Sequence, residues 1–153
     1  QGFDGGYEAY DGSMSHPMHA AFDEWLYTGV AGLAPRRSVR EPWTFRWNDF
    51  PGLEHASAAR RIPEGRISSE WRRDGGEIVW EIEVPVGIEA QIVIPACIQA
   101  IREGGRPLAT RAETGRIRIL PAMPESGRQP LSVGSGSYKF SFPAPKHEKS
   151  QQI

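Results

Sequence analysis

Glu77-Ile78-Val79-Trp80-Glu81-Ile82-Glu83-Val84 is the stretch whose spelling decides the fold. Ile78, Trp80, Ile82 and Val84 take alternate positions on one face, and Glu77, Glu81 and Glu83 fall on the other. In an extended backbone successive side chains point to opposite faces, so this order makes one apolar and one charged surface. A helix would scatter the same residues around its circumference. The stretch is a strand with one face in a core and the other in water.

The period of two continues on both sides. Upstream, Ile67 and Trp71 share a face with Ser69 between them. Downstream, Ala90, Ile92 and Ile94 repeat the pattern, as do Ile117 with Ile119 and Tyr138 with Phe140 and Phe142. Asp74-Gly75-Gly76, Pro85-Val86-Gly87, Gly104-Gly105 and Gly134-Ser135-Gly136 separate these runs with residues that favour turns. Short alternating strands with no helical pattern between them predict an antiparallel β-sandwich. Its core is expected to include Trp71, Trp80, Ile82, Ile92, Ile94 and Phe140. Cys97, set among apolar neighbours in Pro95-Ala96-Cys97-Ile98, is expected to be a buried, inert thiol.

Ahead of this region the period changes. Residues 1–15 are rich in Gly, Asp, Ser and Tyr and read as loop. Met18, Phe22, Trp25, Leu26 and Val30 then recur at helical spacing, with Pro17 in the first turn and Gly32 as the stop. One amphipathic helix over about 17–31 is expected, with an aromatic stripe that must pack on something large. Arg36-Arg37-Ser38-Val39-Arg40-Glu41-Pro42 is polar. The division that follows is a helical segment over 1–33, a linker over 34–42, a β-sandwich over 43–143 and a frayed tail over 144–153. The fold class is mainly β, preceded by one helix.

The chain has 153 residues, enough for one ordinary domain with a short appendage. Eighteen Lys and Arg against nineteen Asp and Glu leave a formal charge of −1, so no nucleic-acid or membrane partner is expected. One cysteine excludes an intrachain disulfide. No apolar run is long enough to span a bilayer, and the first residues lack the basic-then-apolar order of a signal peptide.

Side chains able to do chemistry are few. There is no Gly-rich phosphate loop and no paired cysteines. His16 and His19 lie three apart, but no third His or carboxylate follows at a matching interval, so no metal site is read. Glu24 reads as a solvated helix residue. Glu8 sits between Tyr7 and Tyr10 in a loop just before the helix, where burial could tune a carboxylate. By composition alone it is a surface residue.

The run Ser13-Met14-Ser15-His16-Pro17-Met18-His19-Ala20-Ala21-Phe22-Asp23-Glu24-Trp25-Leu26-Tyr27, continuing to Val30-Ala31-Gly32-Leu33, resembles a signature of bacterial α-L-rhamnosidases, glycoside hydrolase family 78. Gly65-Arg66-Ile67-Ser68-Ser69-Glu70-Trp71, Val84-Pro85-Val86-Gly87, Ala90-Gln91-Ile92-Val93-Ile94-Pro95 and Gly134-Ser135-Gly136-Ser137-Tyr138-Lys139-Phe140 resemble its C-terminal domain in the same order. The resemblance implies the end of an (α/α)6 catalytic barrel followed by its C-terminal β-sandwich. It implies that His16 contacts the bound rhamnose. It also implies that Glu8, in Tyr7-Glu8-Ala9-Tyr10, is the general base, although tyrosines stand where the family has Trp and Ser15 stands where it has Asn.

An inverting glycosidase needs one carboxylic acid at the leaving oxygen and one carboxylate that activates water on the opposite face. The resemblance places the acid in earlier parts of the barrel, so this stretch alone is expected to be inactive. It implies terminal rhamnose of glycans as substrate, the rest of the barrel as partner, and no cofactor. The rival reading is a non-catalytic carbohydrate-binding or interdomain module. Another (α/α)6-barrel glycosidase with a similar tail is a third. Trp43, Phe45, Trp47 and Phe50 discriminate the first two, since an exposed row favours sugar stacking and burial favours packing.

Overall fold

The computed structural model describes residues 23–36, 38–109 and 115–146. Eleven strands form two sheets: β1 (Leu33–Ala34), β2 (Trp43–Arg46), β3 (His55–Ile62), β4 (Gly65–Asp74), β5 (Glu77–Val84), β6 (Ala90–Ile94), β7 (Arg102–Glu103), β8 (Arg106–Pro107), β9 (Ile117–Ile119), β10 (Gln129–Val133) and β11 (Gly136–Pro143). The smaller sheet runs β1-β2-β6-β10-β9 and the larger runs β3-β4-β5-β11-β7-β8. All six residues expected in the core are buried. Both sheets contribute to it, Phe45, Ile92 and Leu131 from one and Trp80, Phe140 and Phe142 from the other. Each such side chain removed from water contributes about 1.5–3 kcal/mol.

The expected turns do their work through backbone sign. Gly75 and Gly76 have φ of 56° and 87° and close the β4–β5 hairpin. Two positive φ angles in a two-residue loop match the right-handed twist of the strands on either side. Among the described residues, all strand pairs but one are antiparallel. β2 and β6 run parallel, with Trp43 opposite Ala90 and Arg46 opposite Val93. The chain between them passes through β3, β4 and β5 of the other sheet, long enough to return in the same direction.

Several features depart from what the spacing predicts, the parallel pairing of β2 and β6 among them. β3 has no counterpart among the expected strands. It is an edge strand whose half-buried positions are Ala56, Ala58, Arg60 and Ile62, too little apolar surface to write a clear alternation. Cys97 is exposed rather than buried. It follows β6 in a loop, where its carbonyl accepts from Ala100 N at 3.0 Å, so its apolar neighbours do not continue the strand. The helix, where described, is α-helical only over 23–25 and widens to a π-helix over Leu26–Val30. Gly32 ends it with φ of +78°.

Candidate functional site

Glu8 and His16 lie outside the described residues, as do Tyr7, Tyr10 and His19. The described structure holds the end of the helix that follows them and the surface that receives it.

A helix C-terminus leaves its last carbonyls without intrahelical donors. Here the sandwich supplies them. Asn48 Nδ2 donates to Gly29 O at 3.0 Å, Trp71 Nε1 to Val30 O at 2.9 Å, and Ser69 Oγ to Ala31 O at 2.6 Å. Arg46 N donates to Gly32 O at 2.7 Å. Ser69 is fully buried, and its hydroxyl oxygen accepts from Trp80 Nε1 at 2.9 Å. The tryptophan N–H occupies one side of that oxygen, which leaves the hydroxyl hydrogen to point at Ala31. The odd-position serine in β4, polar in an otherwise apolar row, is there to meet a helix end.

The first turn of the described helix is less enclosed. Trp25 is 51% exposed and Leu26 38%. Trp25 still meets the Phe50 ring edge-on, with centroids 6.1 Å apart, and the Arg60 guanidinium covers the Tyr27 ring at 4.8 Å.

An open groove of about 730 Å³ lies along the larger sheet next to Leu26 and Tyr27. The strand register builds its floor in rows. Ser57, Glu70, Glu81 and Lys139 stand side by side across β3, β4, β5 and β11, with Ala59, Ser68, Glu83 and Ser137 in the next row. Glu81 and Glu83 are paired with cations, Arg66 to Glu83 at 3.0 Å, Lys139 to Glu81 at 3.6 Å and Arg72 to Glu81 at 3.9 Å, and His55 Nε2 lies 3.6 Å from Glu70. Exposed pairs like these are each worth about 0–1 kcal/mol. The groove offers hydrogen-bonding groups to a polar ligand. Tyr138, at one side, is buried and donates its hydroxyl to Gly134 O at 2.8 Å. Burial pushes its phenol above the usual value, Arg116 opposes this, and Glu103 adds to it.

Trp43, Phe45 and Trp47 are buried, and Phe50 is half-buried. Trp47 packs edge-on against Trp71 and Phe142, with centroids 5.6 and 5.4 Å apart. Trp43, Phe45 and Trp47 form no exposed stacking row; they belong to the core between the sheets. The indole N–H groups of Trp43 and Trp47 find no hydrogen-bond partner among the described residues. Arg128 donates to Trp47 O at 3.2 Å, its guanidinium pKa lowered by burial first and then by Arg46. No three His, Cys, Asp or Glu side chains are grouped as a metal site among the described residues.

Residues 41–106 match the family described as bacterial alpha-L-rhamnosidase C-terminal domain. An α-L-rhamnosidase of Streptomyces avermitilis is 29% identical over 140 residues, which is 90% of this chain and 12% of that protein. One from Formosa agariphila is 22% identical over 133 residues, 85% of this chain and 13% of that protein. Either match is too long to fit in the sandwich alone and takes in the helical segment. The solved α-L-rhamnosidase of Dictyoglumus thermophilum has a TM-score of 0.64 at 22% identity, covering 83% of this chain and 14% of that one. The Streptomyces avermitilis enzyme complexed with L-rhamnose has a TM-score of 0.61 at 24% identity, covering 76% of this chain and 10% of that one. The structural likenesses establish the fold. The chain spans about an eighth of the length of the curated relatives it matches.

Proposed function

We propose, from the match of residues 41–106 to the family described as bacterial alpha-L-rhamnosidase C-terminal domain, that the chain is the C-terminal part of an inverting α-L-rhamnosidase acting on terminal α-L-rhamnose. The observation that carries this reading is the similarity to α-L-rhamnosidases running through helix and sandwich together. A shared sandwich alone would speak for a shared domain and nothing more. Residues 1–33 then close a helical catalytic barrel, 34–42 lead out of it, 43–143 are the sandwich and 144–153 the tail.

In this reading Glu8 is the general base. It takes a proton from the water that attacks the anomeric carbon, while an acid from an earlier segment of the barrel protonates the leaving oxygen. His16 hydrogen-bonds the sugar hydroxyls. Rhamnose-containing glycans and the remainder of the barrel are the partners. The burial of Trp43, Phe45 and Trp47 supports a packing role for the sandwich over sugar stacking.

The longer protein that carries this chain is expected to hydrolyse 4-nitrophenyl α-L-rhamnoside with release of the inverted anomer, followed by NMR of the first product. Glu8→Gln in that protein should lower kcat by about a hundredfold or more, the scale of a lost general base. The 153-residue chain alone should give no turnover. Hydrolysis by the chain alone, or a retained anomer, would overturn the proposal.

A further inference from the structure

Four consecutive carbonyls at the end of the helix, Gly29 to Gly32, are each held by a donor from the sandwich. The donors come from both layers. Arg46 lies in β2 of the smaller sheet and Asn48 just beyond it, whereas Ser69 and Trp71 lie in β4 of the larger. A single hydrogen bond would leave the helix free to swivel about it. Bonds from two sheets, along four successive residues, fix both its axial position and its rotation. Gly32 tightens the junction further. A Cβ there would collide with the Arg46 carbonyl, so only glycine lets the backbone approach this closely.

We infer that Asn48, Ser69 and Trp71 are positioning residues for the active site, acting through the helix end they hold. The inference rests on the reading of the chain as the end of a rhamnosidase. It adds that the sandwich sets the aim of the helix rather than merely following it in sequence. On the helix expected from the sequence, residue 17 lies about 20 Å from Ala31. At that distance a tilt of about 3° moves a side chain by about 1 Å, and a misplacement of about 1 Å costs a catalytic group as much as a hundredfold in rate.

Two measurements test this on Ser69→Ala, Trp71→Phe and Asn48→Ala. Asn48 is half-buried and outside the strands, so its variant should fold even if the other two do not. In the 153-residue chain, amide exchange across Leu26–Gly32 should quicken by about three- to tenfold, the scale of one lost hydrogen bond. In Asn48→Ala, which lies outside the core, exchange at Trp80, Ile92 and Phe140 should stay unchanged. In the longer protein, kcat for an aryl α-L-rhamnoside should fall by about tenfold or more at a temperature where every variant is folded. Unchanged exchange at Leu26–Gly32 would overturn the clamp. Faster exchange with unchanged kcat would reduce it to packing and overturn the positioning role. If the unaltered longer protein hydrolyses no rhamnoside, the functional reading fails, and the exchange data still decide the clamp.

Discussion

Trp80 shows how much a single residue can be asked to do. Its ring is fully buried at the centre of the larger sheet, opposite Trp71 and Phe140, and its N–H orients the Ser69 hydroxyl. Trp80→Ala should cost about 3–5 kcal/mol, from lost burial and the cavity left behind, read as a lower urea midpoint with an unchanged slope. Tyr138 answers to pH. Burial raises its phenol above the ordinary value of about 10. The folded state therefore holds that proton more tightly than the unfolded chain. The contribution is fully present below the unfolded pKa and is lost as pH rises through the higher folded one. Thermal melts from pH 9 upward should show Tm falling, and Tyr138→Phe should fall less steeply. Parallel curves would show that the loss arises elsewhere.

At the scale of elements, Gly32 makes the closest approach of any described glycine, at the junction between helix and sheet. Gly32 needs its positive φ and also lies against the Arg46 carbonyl. Gly75, with φ of 56° in the β4–β5 hairpin, has open space where a Cβ would go. Gly75→Ala should therefore cost only the backbone term, about 1 kcal/mol. Gly32→Ala adds a clash that no rotamer relieves and should cost about 1–3 kcal/mol more. Equal Tm losses in the two variants would show that the close approach is not binding. β3 and β5 illustrate what an alternating pattern does and does not reveal. β5 is central, paired on both edges, and its spelling is unmistakable. β3 is an edge strand held by its register with β4, from His55 opposite Arg72 to Ile62 opposite Gly65. Its place comes from its neighbour rather than from its own residues.

For the molecule as a whole, one core joins both sheets, so the β-sandwich should unfold in a single cooperative transition. The helix presents a different problem. Its C-terminal end is bound to the sandwich, while Trp25 and Leu26 keep much of their surface in water. An exposed apolar patch of this kind favours association. Sedimentation of the isolated chain should show concentration-dependent self-association that Trp25→Asp weakens. A monomer at every concentration would mean that the patch is too small to drive it.

What the sequence determined by itself was the set of faces. Alternation in 67–71, 77–84, 90–94 and 138–142 was enough for the sandwich and for every core residue expected from it, because burial on one side of a strand imposes a period of two. The candidate site was legible only through resemblance, since neither Glu8 nor His16 stands out from its neighbours by spacing or composition. Tertiary structure decided the rest: that β2 and β6 pair in parallel, that Cys97 faces water, and that Ser69 meets a helix carbonyl. Each of these depends on groups far apart in the chain. Ser69 and Ala31 are thirty-eight positions apart, and a buried hydroxyl has meaning only once its partner has been brought to it. Local periodicity records which side of a strand avoids water, but not which distant donor and acceptor will share the space that water leaves.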